Sequence, residues 1–254
     1  MATMKRLIYI IVALLTLTSC EWGEEYTPNR SIGSWMWQGV REDIERVVEI
    51  LELLELYGDY TLIDNEAEQR EFFNAHFSGY QISVNGNLHT LVYNTVYGGS
   101  ITTLITVKDS RNWHIVRSGG NSYDLDLELR DSGIFKATFN SLCHDESTGE
   151  GEFTAYRDAE NNFVLEGNMK MVDTEESVKR PLTLTTNIKQ PLVINRVYNR
   201  LLGGKAEIVC YDKIYDSTDY ATVEIIKNRD DIGEYNATVY IHCYNDIETY
   251  DNAL

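Results

Sequence analysis

Proline is scarce, with 3 residues in a chain of 254. That excludes proline-rich linkers and leaves few strands to be interrupted. Cysteine is nearly as rare, with 4 residues, at positions 20, 143, 210 and 243. A disulfide-dense scaffold is therefore excluded, and the chain contains no C-x-x-C pair. The histidines, His76, His89, His114, His144 and His242, show no H-x-x-x-H spacing, so the sequence gives no zinc site. His144-Asp145-Glu146 is polar and contiguous, but neighbours on a loop rarely converge on one ion. Basic residues are outnumbered, 22 against 40 acidic. A field of that sign repels phosphate backbones, which argues against nucleic-acid binding.

The marks of catalysis and cofactor binding are missing as well. No G-x-S-x-G elbow occurs. Gly203-Gly204-Lys205 lacks the rest of a phosphate-binding loop. Cys143 precedes His144, but a neighbour in sequence is not a positioned base. The expectation is a chain without catalytic residues, metal or cofactor.

The sequence has one long hydrophobic run, Leu7 to Leu17. At about 11 residues it falls short of the ~20 that cross a bilayer as a helix. Lys5 and Arg6 precede it, and Leu17-Thr18-Ser19-Cys20 closes it. This is the layout of a signal peptide over residues 1–19. The closing four residues match the lipobox and resemble the signal sequences of bacterial lipoproteins. That resemblance implies a diacylglyceryl group on Cys20, loss of the preceding peptide, and a membrane hold by two or three acyl chains, which is firm where one chain is marginal. Residues 20–33 read as an acidic tether. Its Glu21, Glu24 and Glu25 resemble the export signal of lipoproteins in the Bacteroidetes, which implies an outer-membrane anchor facing outward. The first 19 residues hold two basic residues and no acidic ones, so the remainder carries 20 basic against 40 acidic, a formal charge of −20. Neutral partners such as sugars, cationic ligands, or proteins with basic patches fit that charge.

Past the tether, Val40, Ile44, Val47, Val48, Leu51 and Leu54 recur at spacings of three and four, with Glu and Arg opposite. The pattern predicts an amphipathic helix from a Ser34 cap to about Tyr57, stopped by Gly58, with a stripe wide enough to need a sheet as partner. A weaker helix is expected over Asn65 to His76. Alternation then takes over, with turn signals every eight to twelve residues. Asn85-Gly86, Asp109 to Asn112, Gly119-Gly120-Asn121, Asp131-Ser132-Gly133 and Ala159 to Asn162 separate runs of strand character. The stretch His144 to Gly151 reads as a long loop or subdomain boundary. About a dozen strands follow one another, ending with Tyr235 to Tyr244. The expected fold is mainly β, an antiparallel meander, barrel-like or as two packed sheets, with the helix packed on it, over residues 34–254. The layout of lipobox, acidic tether, helix and β meander resembles the small β-rich lipoproteins of Bacteroidetes envelopes.

A few constellations remain. Asp124, Asp126 and Glu128 alternate with Tyr123, Leu125, Leu127 and Leu129. Same-face neighbours on a strand lie about 7 Å apart, a gap that suits an inverting glycosidase. The simpler reading is a solvent face on a half-buried strand. Cys210 and Cys243 point to the apolar side of what read as adjacent strands. They either pair in an oxidising envelope or sit as buried free thiols. Tyrosine is frequent, with 17 residues. Tyr240, His242 and Tyr244 share a strand face, and Tyr211 is near in sequence, which makes them a weak candidate for stacking on sugar rings or anchoring a protein. Asp216-Ser217-Thr218 resembles the O-glycosylation motif of Bacteroidetes secreted proteins, which implies a glycan on Ser217. Together these favour a surface-displayed module that binds a glycan, a small apolar ligand or a partner protein without catalysis. The alternatives are a structural accessory lipoprotein and a carboxylate-dependent glycoside hydrolase.

Overall fold

The computed structural model describes residues 32–254 except 96–97, 119–120, 131–132, 134, 145–146, 174–181, 228–236 and 252–253. Cys20, the signal peptide and most of the tether lie outside the described residues. Ile32 and Gly33, expected in the tether, belong to a helix.

That helix, α1 (Ile32–Thr61), buries Met36, Val40, Ile44, Val47, Val48, Leu51, Leu54 and Tyr57. Ser34 lies in its first turn rather than capping it. Gly58 does not stop it. A helix-interior glycine costs about 1 kcal/mol, whereas each fully buried large apolar side chain contributes about 1.5–3 kcal/mol. Burial of Leu54 and Tyr57 before Gly58, with half-buried Tyr60 packed against the core after it, carries the helix through. The second helix, α2 (Glu66–His76), matches its expected range, with Asn65 as N-cap accepting from Ala67 N and Glu68 N. No helix among the described residues is long and apolar enough to cross a membrane.

The strands are β1 (Tyr80–Asn85), β2 (Leu88–Asn94), β3 (Ser100–Val107), β4 (Asn112–Ser118), β5 (Tyr123–Leu129), β6 (Phe135–His144), β7 (Ser147–Arg157), β8 (Phe163–Asp173), β9 (Leu182–Asn195), β10 (Arg200–Asp212), β11 (Ser217–Lys227), β12 (Ala237–Cys243) and β13 (Asp246–Asp251). Each pairs antiparallel with the next in one 13-stranded sheet. The fold is mainly β with a helix packed on the sheet. It is one meander rather than two packed sheets, and among the described residues β1 and β13 do not pair. The stretch expected to be a loop at His144 to Gly151 is a hairpin, in which Cys143 faces Thr148 and Leu142 faces Gly149. In the first hairpin the two-residue loop is Gly86-Asn87, since Asn85 still pairs with Leu88. The turns marked by Gly119-Gly120 and Asp131-Ser132 lie outside the described residues.

Inward-facing residues from Leu91 on β2 to Val239 on β12 are fully buried and join α1 in one core. The sheet therefore curls around α1. A line of irregularities makes the curl. Register shifts fall between Phe139 and Leu142 on β6, between Leu165 and Asn168 on β8, and around Gly203 on β10. Gly167 has φ +143°, and a Cβ there would meet Glu152 O at 2.1 Å. Gly204 has φ +128°, and its Cβ would meet Pro191 O at 2.6 Å. Pro191 pairs with neither neighbouring strand, the bulged position that a residue without N–H requires. The glycine pair at 203–204 thus serves a sheet corner.

Candidate functional site

An apolar concavity opens where the end of α1 passes over the β2–β6 side of the sheet. Alternation turns Trp113, Leu127, Leu129 and Phe135 inward from β4, β5 and β6, while the helical period turns Leu51 and Leu54 toward them. Between them lies a cleft of about 440 Å³, with Glu55, Asp59, His89 and Ser110 as its main polar groups. Gly58 faces the Trp113 ring, where a Cβ would stand at an ordinary contact distance of 3.5 Å. The size and apolar lining are those of small-molecule sites.

Two arrangements hold this end of the helix. The first is aromatic. Tyr57 packs edge-on to Phe77 and Trp113, and its hydroxyl lies 2.6 Å from His89 Nδ1. Burial, with Tyr60 adding to it, pushes the Tyr57 phenol far above its ordinary range, so it is a neutral hydrogen-bonding group. The second is ionic. Arg157 on β7 donates to Glu55 from Nε and from Nη2, the latter at 2.7 Å, and reaches Glu52 at 3.1 Å. Arg196 donates to Glu52 at 2.8 Å. Asp59 stands one turn beyond Glu55 at the cleft rim. Burial, then the Glu55 charge, raises its carboxyl above the usual value, with His76 pulling the other way.

The residues singled out in the sequence lie elsewhere. Tyr240 and His242 sit half-buried on the outer face of β12, opposite Glu224 and Thr222 of β11. Tyr211 is on β10, two strands away, and its hydroxyl donates to Asp216 at 3.0 Å. Tyr244 is not in the strand. It takes φ +55° in the β12–β13 turn, 71% exposed, and donates to the Asp219 carboxylate, which pushes its phenol up to about 12. Tyr220, 61% exposed, lies on the intervening β11. These aromatics cluster at the β10–β12 hairpin ends, on a surface outside the cleft. Ser217 opens β11 opposite Asp212, next to the turn residue Asp216.

Cys210 and Cys243 are not on adjacent strands. β11 separates them, with Cys210 opposite Asp219 and Cys243 opposite Ala221. Two strand spacings, ~9.6 Å, exceed the ~7 Å limit between α-carbons for a bridge; neither cysteine is in a disulfide, and both are buried. Cys143 is free and half-buried. A hydrogen bond with Thr148 lowers its thiol below the ordinary value, against burial.

Asp124 and Asp126 form a paired cluster on the outer face. Lys108 donates to Asp126 at 2.7 Å, Asn140 to both carboxylates, and His114 Nδ1 lies 3.2 Å from Asp126. The Lys108 bond holds Asp126 below its usual value, the opposite of what a general acid needs. Among the described residues no three His, Cys, Asp or Glu side chains group to hold a metal ion.

The sequence reading missed Trp113, Phe135, Gly58 and Asp59 as site residues. The inward face of β5 was visible in Leu125, Leu127 and Leu129, but not the curvature that leaves a space above it. No family model, curated protein or solved structure matches the chain.

Proposed function

We propose that the chain is a lipid-anchored envelope module that binds a small apolar ligand in the cleft between α1 and β4–β6, without catalysis. The observation that carries this reading is the cleft itself: about 440 Å³ with walls of Leu54, Trp113, Leu127, Leu129 and Phe135. A core of this kind normally closes to crystal-like density, so an open apolar space at the end of an otherwise tight interior is the feature that needs a role.

Calorimetric titration of the chain with decanol tests this. Saturable binding is expected, lost when Leu127→Trp fills the space. Absence of heat in the wild type, or binding that Leu127→Trp leaves intact, removes the cleft from consideration. Exposed Tyr211, Tyr220 and Tyr244 support a second reading, glycan or protein contact at the hairpin ends. That reading expects Tyr220→Ala to matter and Leu127→Trp not to.

A further inference from the structure

We propose that the ligand of this cleft carries a protonated amine on its apolar body, an inference that rests on the cleft being a binding site. Two carboxylates of the last turns of α1 line its mouth, Glu55 and Asp59, and Glu52 stands on the preceding turn. Two guanidinium groups meet them, and both are already committed, Arg157 to Glu52 and Glu55, and Arg196 to Glu52. Asp59 has no hydrogen bond or ion pair to its carboxylate among the described residues. The charge left over at the rim is therefore negative, and it sits one helical turn from the walls formed by Leu54 and Trp113.

The other ionisable groups here are His76 on α2, close enough to Asp59 to affect it, His89 on β2, whose Nδ1 is bonded to the Tyr57 hydroxyl, and Arg111 beside Ser110 in the β3–β4 turn, whose charge acts on Asp109. An anionic head would meet Glu55 and Asp59 with like charge. A neutral alcohol would leave Asp59 without a counterion. An ammonium group donates to Asp59 while its chain displaces water from the apolar wall, so one ligand satisfies both halves of the site. The net acidity of the whole chain adds long-range attraction for the same sign of ligand.

Three probes with the same alkyl chain separate the two layers of this inference: decylamine, decanol and decanoate, titrated into the full chain at neutral pH. Decylamine is expected to bind about two- to fivefold more tightly than decanol, the range of a part-exposed ion pair, and decanoate more weakly than either. Asp59→Asn is expected to bring decylamine to the level of decanol measured on the same variant. Added salt should weaken decylamine alone. The same loss from Glu224→Gln, on the outer face of β11, would mean a diffuse field and overturn the assignment to Asp59. Equal binding of decanoate and decylamine would overturn the amine head while leaving an apolar site in place. Failure of all three probes would overturn the cleft reading itself.

Discussion

The Tyr57 hydroxyl lies 2.6 Å from His89 Nδ1, tying the end of α1 to the second strand of the sheet across 32 residues of chain. This bond sits beside the cleft and fixes how far the helix stands from the wall. Tyr57→Phe keeps the ring in its aromatic cluster and deletes the bond. The expected cost is about 1–2 kcal/mol, the range for leaving a buried partner unmatched. Denaturant unfolding measures it, and an unchanged midpoint would mean that the ring contacts alone hold the helix.

Gly58 gives a prediction of the opposite sign. It lies inside α1, and a Cβ there would stand at ordinary contact distance, 3.5 Å, from Trp113. Gly58→Ala should raise stability by about 0.5–1 kcal/mol through helix propensity. Gly167→Ala should do the reverse, by several kcal/mol, because the new methyl would overlap a backbone oxygen at an unfavourable φ. Thermal melts of the two variants, expected to move in opposite directions, check both.

Asp43 sets a pH dependence. It is 6% exposed on α1, and its carboxyl is raised from 3.8 to about 7, chiefly by burial, with Arg46 lowering it and Glu42 and Asp173 raising it. The unfolded chain releases this proton near its ordinary value, while the folded chain keeps it to near neutrality. Between about pH 4 and pH 7 the unfolded state therefore binds fewer protons, and stability falls as pH rises, then levels off. Asp43→Asn should abolish that slope, a difference on the order of 3 kcal/mol between the two profiles at pH 8 relative to pH 4. Parallel profiles for the two proteins would contradict it.

The thiols differ in reach. Cys143 is half-buried with a lowered thiol value, whereas burial raises Cys243, and Cys210 is buried among apolar neighbours. Of these three, Cys143 alone should label in the native state. All three should label after unfolding without reductant. A need for reductant to expose Cys210 and Cys243 would mean that they are joined.

Much of the fold was legible because period and face are local properties. The stripe from Val40 to Leu54 and the alternation of Leu125 and Leu127 required only burial on one side. Three features were not legible, and each is tertiary. Gly58 looks like a stop until Trp113 is seen beneath it. Gly149 and Gly151 look like loop residues, yet they pair within β7, where a Cβ would strike Met171 at 2.2 Å and Asn168 O at 2.7 Å. Asp246 to Asp251 is short and acidic, so its pairing as β13 with Thr238 to Cys243 left little trace in the alternation. The site was hidden for the same reason. Residues on β2, β4, β5 and β6 come together at the cleft through the tertiary fold, which no local pattern spells out.

The direct test locates the bound ligand rather than its affinity. The chain is irradiated with an alkyl probe bearing a diazirine, and the labelled peptides are read by mass spectrometry. Crosslinks on residues 51–62 and 107–135, suppressed by excess decanol, are the expected result. Crosslinks confined to the hairpin ends around Tyr211, Tyr220 and Tyr244 would contradict it.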